Sequence, residues 1–283
     1  YPQLNDPKYC PAARNPGKFY TYDEIREVIK YAKERGVMII PELDIPGHSQ
    51  YFWTIFGVQM DDEKGMKILD KLFAEFFAEI SAEDCPYIHI GSDEVRRKMK
   101  DAEGFVRYYE QFLAKHNRKV IGWDEIIYGG INKSATIMLW NDRNRAKAIS
   151  LGNDVILTPK YYCYMDYYQT KRPYSNKEGL MFKERILTLR KAYSLNPYEG
   201  LQPSEYGRIK GIQANLWTEY VSTFHRVQEK LLPRLAATAE AAWSSGAKNF
   251  DDFARRLEHL RRLYDKNGIR YATYFFDGVD EIE

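Results

Sequence analysis

Apolar and polar positions along the chain follow two periods in turn. Over Tyr22–Arg35 the apolar residues recur at helical spacing, with Asp23 and Glu24 early and Lys33 and Arg35 late, the order a helix dipole favours. Thr21 suits the N-cap, Glu24 is its capping-box partner, and Gly36 suits the stop. Val37–Ile40 is short and continuously apolar, which predicts a buried strand ending at Pro41-Glu42-Leu43-Asp44. The pattern then repeats. Helix Glu63–Ser81 leads to strand Tyr87–Ile90, and helix Ala102–Lys115 leads to strand Lys119–Gly122. Strand Ala135–Leu139 follows, then a short helix Arg143–Leu151 and strand Asp154–Leu157. A loop is expected from Thr158 to about Ser204, then strand Lys210–Asn215 and helices over Phe224–Trp243 and Phe250–Asn267.

Strands alternating with helices predict a parallel sheet. The pattern supplies about six βα units, where a closed barrel has eight. The predicted strands carry acids and tryptophans at their C-terminal ends. Barrel enzymes build their sites on that face, whereas a doubly wound sheet gathers its site at one switch point. The expected fold is therefore α/β, a (β/α)8 TIM-type barrel. Residues 1–283 are expected to form one catalytic domain that begins after the second strand of that barrel.

Composition narrows the partners. The 283 residues suffice for one large core. A net charge of +2 lacks the basic excess that nucleic-acid capture needs. No apolar run reaches the length of a membrane span. Cys10, Cys85 and Cys163 are widely spaced and form neither a metal-ligand spacing nor a disulfide framework. Aromatic residues make up 15% of the chain, with 23 Tyr, and their faces suit sugar rings as well as core packing. No targeting segment is visible, and Tyr1-Pro2-Gln3-Leu4-Asn5 reads as the middle of a loop, so the chain is expected to begin inside a larger protein.

The densest chemistry lies in His89-Ile90-Gly91-Ser92-Asp93-Glu94-Val95, where a buried strand meets small residues and two adjacent acids. Like charges at short range resist ionising together, so one carboxyl of the pair is expected to hold a proton near neutral pH. A protonated acid beside an ionised one suits general acid catalysis with charge stabilisation. The segment alone equally fits a surface acid pair in a βα loop. Neighbours on a regular strand point to opposite faces, so both acids can reach one pocket only if the strand ends or bulges at Gly91-Ser92.

Read together, the strand ends are PELDIPGHS (41–49), HIGSDEV (89–95), GWDEI (122–126), MLW (138–140), YYCYMD (161–166) and NLWTE (215–219). This ordered set, with AEAAWS at 239–244, resembles the family 20 glycoside hydrolases, the β-N-acetylhexosaminidases. The resemblance implies exo-acting release of terminal β-linked N-acetylhexosamine from glycans. The implied mechanism is retaining and substrate-assisted, through an oxazolinium intermediate, an exception to the usual two-carboxylate scheme. By the same resemblance Glu94 is the acid and base, and Asp93 orients the acetamido group. Trp123, Trp140 and Trp217 wall the sugar, Tyr164 holds the acetamido carbonyl, and Asp166 and Glu219 bond sugar hydroxyls. Asp44 stands beside Asp93, and His48 beside Glu94.

Several residues keep a plainer reading. Asp44 and His48 have the spacing of metal ligands, but Pro46-Gly47 breaks a helix and no third ligand is evident, so neither metal nor cofactor is expected. His89 is read as barrel filling with a satisfied hydrogen bond, and Asp124 and Glu125 as structural acids. Ser92 stands where the family commonly has a second glycine, and its hydroxyl adds a donor near Asp93. The resemblance implies a secreted, periplasmic or lysosomal protein. Two alternatives stay open. One is a conventional retaining glycosidase with Glu125 as nucleophile, and the other is a non-catalytic sugar-binding barrel.

Overall fold

In this computed structural model the first helix, α1, runs Tyr22–Lys33 behind its expected cap. Thr21 Oγ1 accepts the Glu24 N–H, and the Glu24 carboxylate accepts the Thr21 N–H at 2.7 Å. These reciprocal bonds satisfy N–H groups that a helix start leaves open. The structure describes residues 1–9, 18–95, 99, 101–170, 186–244 and 246–279. Contacts divide the chain into two units, Tyr1–Met138 with Leu151–Asp154, and Leu139–Ser150 with Val155–Glu283.

In the first unit, Ile29 of α1 packs with Ile80 and Cys85, flanked by Ile25, Ile39 and Phe76. The segment expected as a strand over Val37–Ile40 joins no ladder, and Val37 and Met38 are exposed. Pairing comes later in the chain. The His89 N–H bonds the Pro41 carbonyl, the Leu43 N–H the His89 carbonyl, and the Ile45 N–H the Ile90 carbonyl. An apolar run marks candidates, but a strand forms where a neighbour meets it in register.

Helices α2 (Gln50–Phe56) and α3 (Glu63–Glu79) precede β1 (Tyr87–His89), and α4 (Ala102–Lys115) precedes β2 (Lys119–Trp123) and β3 (Thr136–Leu139). The three strands run parallel, with Ile88 opposite Val120 and Gly122 opposite Ile137. Aromatic rings join α3 to α4, Phe73 lying 5.8 Å from Tyr109 and 6.1 Å from Phe112. The buried Arg118 guanidinium donates to the Ile80 and Cys85 carbonyls and lies 4.3 Å from the Phe77 ring centre, holding the loop between α3 and β1.

The second unit contains α5 (Arg145–Ser150), β4 (Asp154–Leu157) from Val155 on, α6 (Lys160–Cys163), α7 (Leu189–Tyr193), β5 (Ile209–Ile212), α8 (Phe224–Leu231), α9 (Arg234–Trp243) and α10 (Phe250–Lys266). β4 and β5 are parallel, with Leu157 opposite Ile212, and a further parallel bridge joins Tyr164 to Asn215. Two short helices occupy the expected loop 158–204, of which 171–185 lie outside the described residues. The expected helix Phe224–Trp243 is two helices. Pro233 has no N–H and its ring clashes with the preceding turn, so one helix stops and the next starts there.

Tyr164, Met165, Tyr167, Leu187 and Leu189 pack with Phe253 and Leu257 as the core of this unit. The fully buried Arg234 binds it together, donating to the carbonyls of Met165, Tyr167, Leu187 and Lys230. Cys85 and Cys163 are buried free thiols, while Cys10 lies outside the described residues.

Candidate active site

The acid pair sits on a turn of left-handed residues. β1 ends at His89, and Gly91, Ser92 and Glu94 then take φ of 63°, 71° and 46°. Ser92 and Glu94 are not glycines, so this conformation is unfavourable by itself. Hydrogen bonds hold it. The Ser92 N–H donates to Asp44 Oδ1 at 2.9 Å, the Ser92 hydroxyl donates to the Ile45 carbonyl at 2.5 Å, and the Trp123 N–H donates to the Gly91 carbonyl at 2.9 Å. Gly91 is required sterically as well, because a Cβ there would lie 2.0 Å from Asp44 Oδ1.

This turn breaks strand alternation and brings both acids beside one imidazole. His48 Nε2 lies 3.4 Å from Asp93 Oδ2 and 3.7 Å from Glu94 Oε2. His48 is also left-handed, and Gly47 passes the Asp93 carbonyl so closely that a Cβ would come within 2.4 Å. The two acids differ in environment. The Asp93 side chain is 15% exposed and that of Glu94 is 51% exposed.

Burial, and then the negative charge of Asp44, push the Asp93 carboxyl up to about 7, partly opposed by His48. Burial also raises Asp44, against the Ser92 N–H bond that favours its ionised form. The contact between the two acids favours the proton on Asp93 and the charge on Asp44. The raised carboxyl expected in the 93–94 pair is thus Asp93, and the like charge acting on it is Asp44, from a different strand end. The third donor that the sequence does not reveal also appears. Single ligand atoms of Asp44, His48 and Asp93 lie within 4.8 Å of one another. Two carboxylates and an imidazole could hold a small divalent cation, with a shared proton as the alternative occupant.

At the neighbouring strand end, β2 passes directly into a 3₁₀ turn over Asp124–Gly129. Trp123 is buried and its Nε1–H donates to Glu42 Oε1 at 3.2 Å. Asp124 has no exposed surface. Glu125, read with it as structural, lines a cavity of about 440 Å³ together with Ser92, Glu94 and Val95. His89 is bonded only through Nδ1, and its buried Nε2 has no hydrogen-bond partner among the described residues, so its expected satisfaction is half met.

In the second unit, Tyr164 and Trp217 meet edge to face at 5.7 Å between ring centres. The Met165 N–H donates to the Asn215 carbonyl at 2.6 Å, and the Asn215 N–H to the Cys163 carbonyl, tying the two segments that carry these rings. The Asp166 carbonyl accepts from Lys230 Nζ at 2.6 Å. Lys160 Nζ lies 4.7 Å from the centre of the Trp140 ring. Glu219 is exposed, two residues beyond Trp217. One site residue escaped the sequence reading. Glu42 contacts Trp123 and His89, and its place just before Asp44 at a strand end was the available signal.

An α/β chain with carboxylates and aromatic rings at its strand ends has the make-up of a barrel-type glycoside hydrolase. The family model described as glycosyl hydrolase family 20, catalytic domain, matches residues 1–57 and 97–246, and the chain belongs to that family. It is 32% identical to a beta-hexosaminidase of Porphyromonas gingivalis over 89% of its own length and 38% of the other's. It is 30% identical to a beta-hexosaminidase of Vibrio furnissii over 84% of its length and 45% of the other's. The chain therefore spans less than half of these relatives. The crystal structure of an exo beta-N-acetylglucosaminidase from Vibrio harveyi, in complex with N-acetylglucosamine, superposes with a TM-score of 0.80 at 28% identity, over 92% of this chain and 47% of that one. The fold class is that of the family, α/β of the (β/α)8 type.

Proposed function

We propose that the whole protein is an exo-acting β-N-acetylhexosaminidase that releases terminal β-linked N-acetylhexosamine from glycans with retention of configuration. The observation that carries this reading is the left-handed turn, which brings two carboxylates of unlike burial beside His48. In the first step the acetamido oxygen of the substrate bonds to the anomeric carbon as the bond to the leaving oxygen breaks, and Glu94 gives that oxygen its proton. In the second, water attacks the oxazolinium ion and returns a proton to Glu94. The half-exposed position of Glu94 suits an acid that exchanges protons with leaving group and water. Asp93 accepts the acetamido N–H and stabilises the positive charge that develops beside it. A donor arriving at its carboxylate favours the ionised form, offsetting what burial and Asp44 impose.

Trp123, Trp140, Tyr164, Asp166, Trp217 and Glu219 keep, within this proposal, the substrate-binding roles that the resemblance implies. The compartment, secreted, periplasmic or lysosomal, rests on the same resemblance. The test compares a nitrophenyl 2-acetamido-2-deoxy-β-glucoside with the plain β-glucoside. The acetamido substrate alone is expected to turn over, and Glu94→Gln and Asp93→Asn should each lower kcat/KM by about 10³-fold. One observation favours a second reading, because Glu94 and Glu125 line a common cavity. Equal turnover of both sugars, lost in Glu125→Gln, would replace substrate assistance by a protein nucleophile.

A further inference from the structure

Behind the acid pair lies a closed ring of contacts that the proposed mechanism does not use. Glu42 Oε1 accepts the Trp123 Nε1–H at 3.2 Å and lies 3.0 Å from His89 Nδ1. His89 Nδ1 is in turn 3.1 Å from the Gly91 N–H, and the Gly91 carbonyl accepts the Trp123 backbone N–H. The His89 and Trp123 rings meet edge to face at 4.9 Å. The ring of contacts therefore runs from Glu42 to Trp123, to Gly91, to His89 and back. Gly91 opens the left-handed turn that carries Asp93 and Glu94.

Three features single out Glu42 within this ring. It supplies the charged acceptor, and hydrogen bonds to a charged group are stronger than neutral ones. It touches both aromatic rings at one oxygen, so one side chain sets the tilt of both. The His89 side chain is 4% exposed and its Nε2 has no partner among the described residues, so the imidazole is held through Nδ1 alone. A neutral imidazole nitrogen either donates or accepts, so Nδ1 serves Glu42 or Gly91 at any moment, and the state of one contact is felt at the other. With Glu42 replaced by an apolar residue, the indole N–H loses its acceptor and the imidazole loses one of its two anchors.

We propose that Glu42 is a positioning residue that acts through Trp123 and His89 to set both the indole wall and the start of the Gly91–Glu94 turn. The inference rests on the proposed activity for its kinetic consequence, and on contacts within the first unit for its physical basis. Glu42 bonds no substrate in this account. Its loss is a loss of alignment, and small misplacements of reacting groups are expensive in rate.

The test uses the full-length protein with Glu42→Gln, Glu42→Leu, Trp123→Phe and the double variant Glu42→Leu/Trp123→Phe. Gln keeps an acceptor for the indole N–H and should stay within about threefold of wild-type kcat/KM, while Leu should lose about tenfold or more. In the Trp123→Phe background, Glu42→Leu should add less than it does alone, because the two act as a unit. Tryptophan emission, taken as wild type minus Trp123→Phe, should shift in Glu42→Leu and not in Glu42→Gln. Equal losses in Gln and Leu, or fully additive losses with Trp123→Phe, would overturn the proposal. If the wild type leaves the acetamido substrate unturned, the activity reading fails while the emission comparison still decides whether Glu42 holds the indole. If Glu42→Leu does not fold, Glu42→Ala takes its place in both readouts; a shifted emission there with Glu42→Gln unshifted supports the proposal, and an unshifted one overturns it.

Discussion

Two strand ends in the first unit carry the same dipeptide, Asp93-Glu94 after β1 and Asp124-Glu125 after β2, and they use it differently. The ends are hydrogen-bonded to each other through the Trp123 N–H and the Gly91 carbonyl. After β1 the chain takes three left-handed residues, and both acids come beside His48. After β2 it enters a 3₁₀ turn at once, Asp124 is fully buried, and Glu125 faces the cavity that Glu94 also lines. The difference lies in the backbone that delivers the acids. Two small residues directly before the acids, Gly91-Ser92, allow a sharp reversal, while Trp123 directly before Asp124 keeps its backbone extended and its ring in the core. The residues before an Asp-Glu pair thus decide whether both acids or only one reach the cavity.

That contrast can be broken experimentally, most severely at Gly91. Gly91→Ala places a Cβ 2.6 Å from the Asp44 Cα as well as against its carboxylate, at a φ that disfavours any side chain. The expected cost is about 3 kcal/mol or more in stability, read by urea unfolding, with kcat/KM falling further than the folded fraction does. Asp124→Ala comes next. Removing a fully buried acid should cost about 2–3 kcal/mol of stability, yet leave kcat/KM of the folded protein within about threefold. A large fall in kcat with an unchanged unfolding midpoint would move Asp124 into the chemistry and erase the contrast.

A further test concerns pH. The folded-state pKa of Asp93 is raised above its ordinary value of 3.8 to about 7, so the native state binds the extra proton between those limits. Its contribution to stability is fully present below the unfolded value and is lost as pH rises through the folded one. Asp93→Asn should remove that decline from a series of unfolding midpoints between pH 4 and 8. Asp44→Asn removes the like charge, so the acid limb of kcat/KM should move to lower pH, and an unmoved limb would show that Asp44 does not act on Asp93.

The smallest effect separates the two properties of Ser92. Ser92→Ala loses the hydroxyl bond to Ile45 and keeps the left-handed strain, a cost of about 1 kcal/mol. Ser92→Gly loses the same bond but relieves the strain, and should be more stable than the alanine variant by about 1 kcal/mol. Reversed stabilities would mean that the turn is not strained at this position.

What the sequence could reveal follows how local each signal is. The Thr21–Glu24 cap, α4 and β4 appear at or near their expected bounds because their causes lie within a few residues. Val37–Ile40 misled because pairing depends on a partner far along the chain. Pro233 stands in the sequence as a helix breaker, and the expectation of one helix over Phe224–Trp243 did not use it. The site shows the same split. The strand-end motifs named Asp93, Glu94 and their companions, and the resemblance placed Asp44 beside Asp93, but neither showed that Asp44 would raise the Asp93 carboxyl or that Glu42 would hold Trp123. Those contacts join residues that only the folded sheet makes neighbours. Gly91-Ser92 marks where the strand must turn, but left-handed Glu94 carries no sequence mark, being an ordinary residue in an uncommon conformation.

Arg234 adds a matter of timing. Its guanidinium collects carbonyls lying 69, 67 and 47 residues earlier in the chain. During synthesis those carbonyls emerge first, and at about 5–20 residues per second they wait several seconds for the group that will bind them. Water holds them meanwhile, so the core around Tyr167 and Leu187 cannot dry out until α9 arrives. The second unit is consequently completed from its late end, and a ribosome pausing before Arg234 leaves it open.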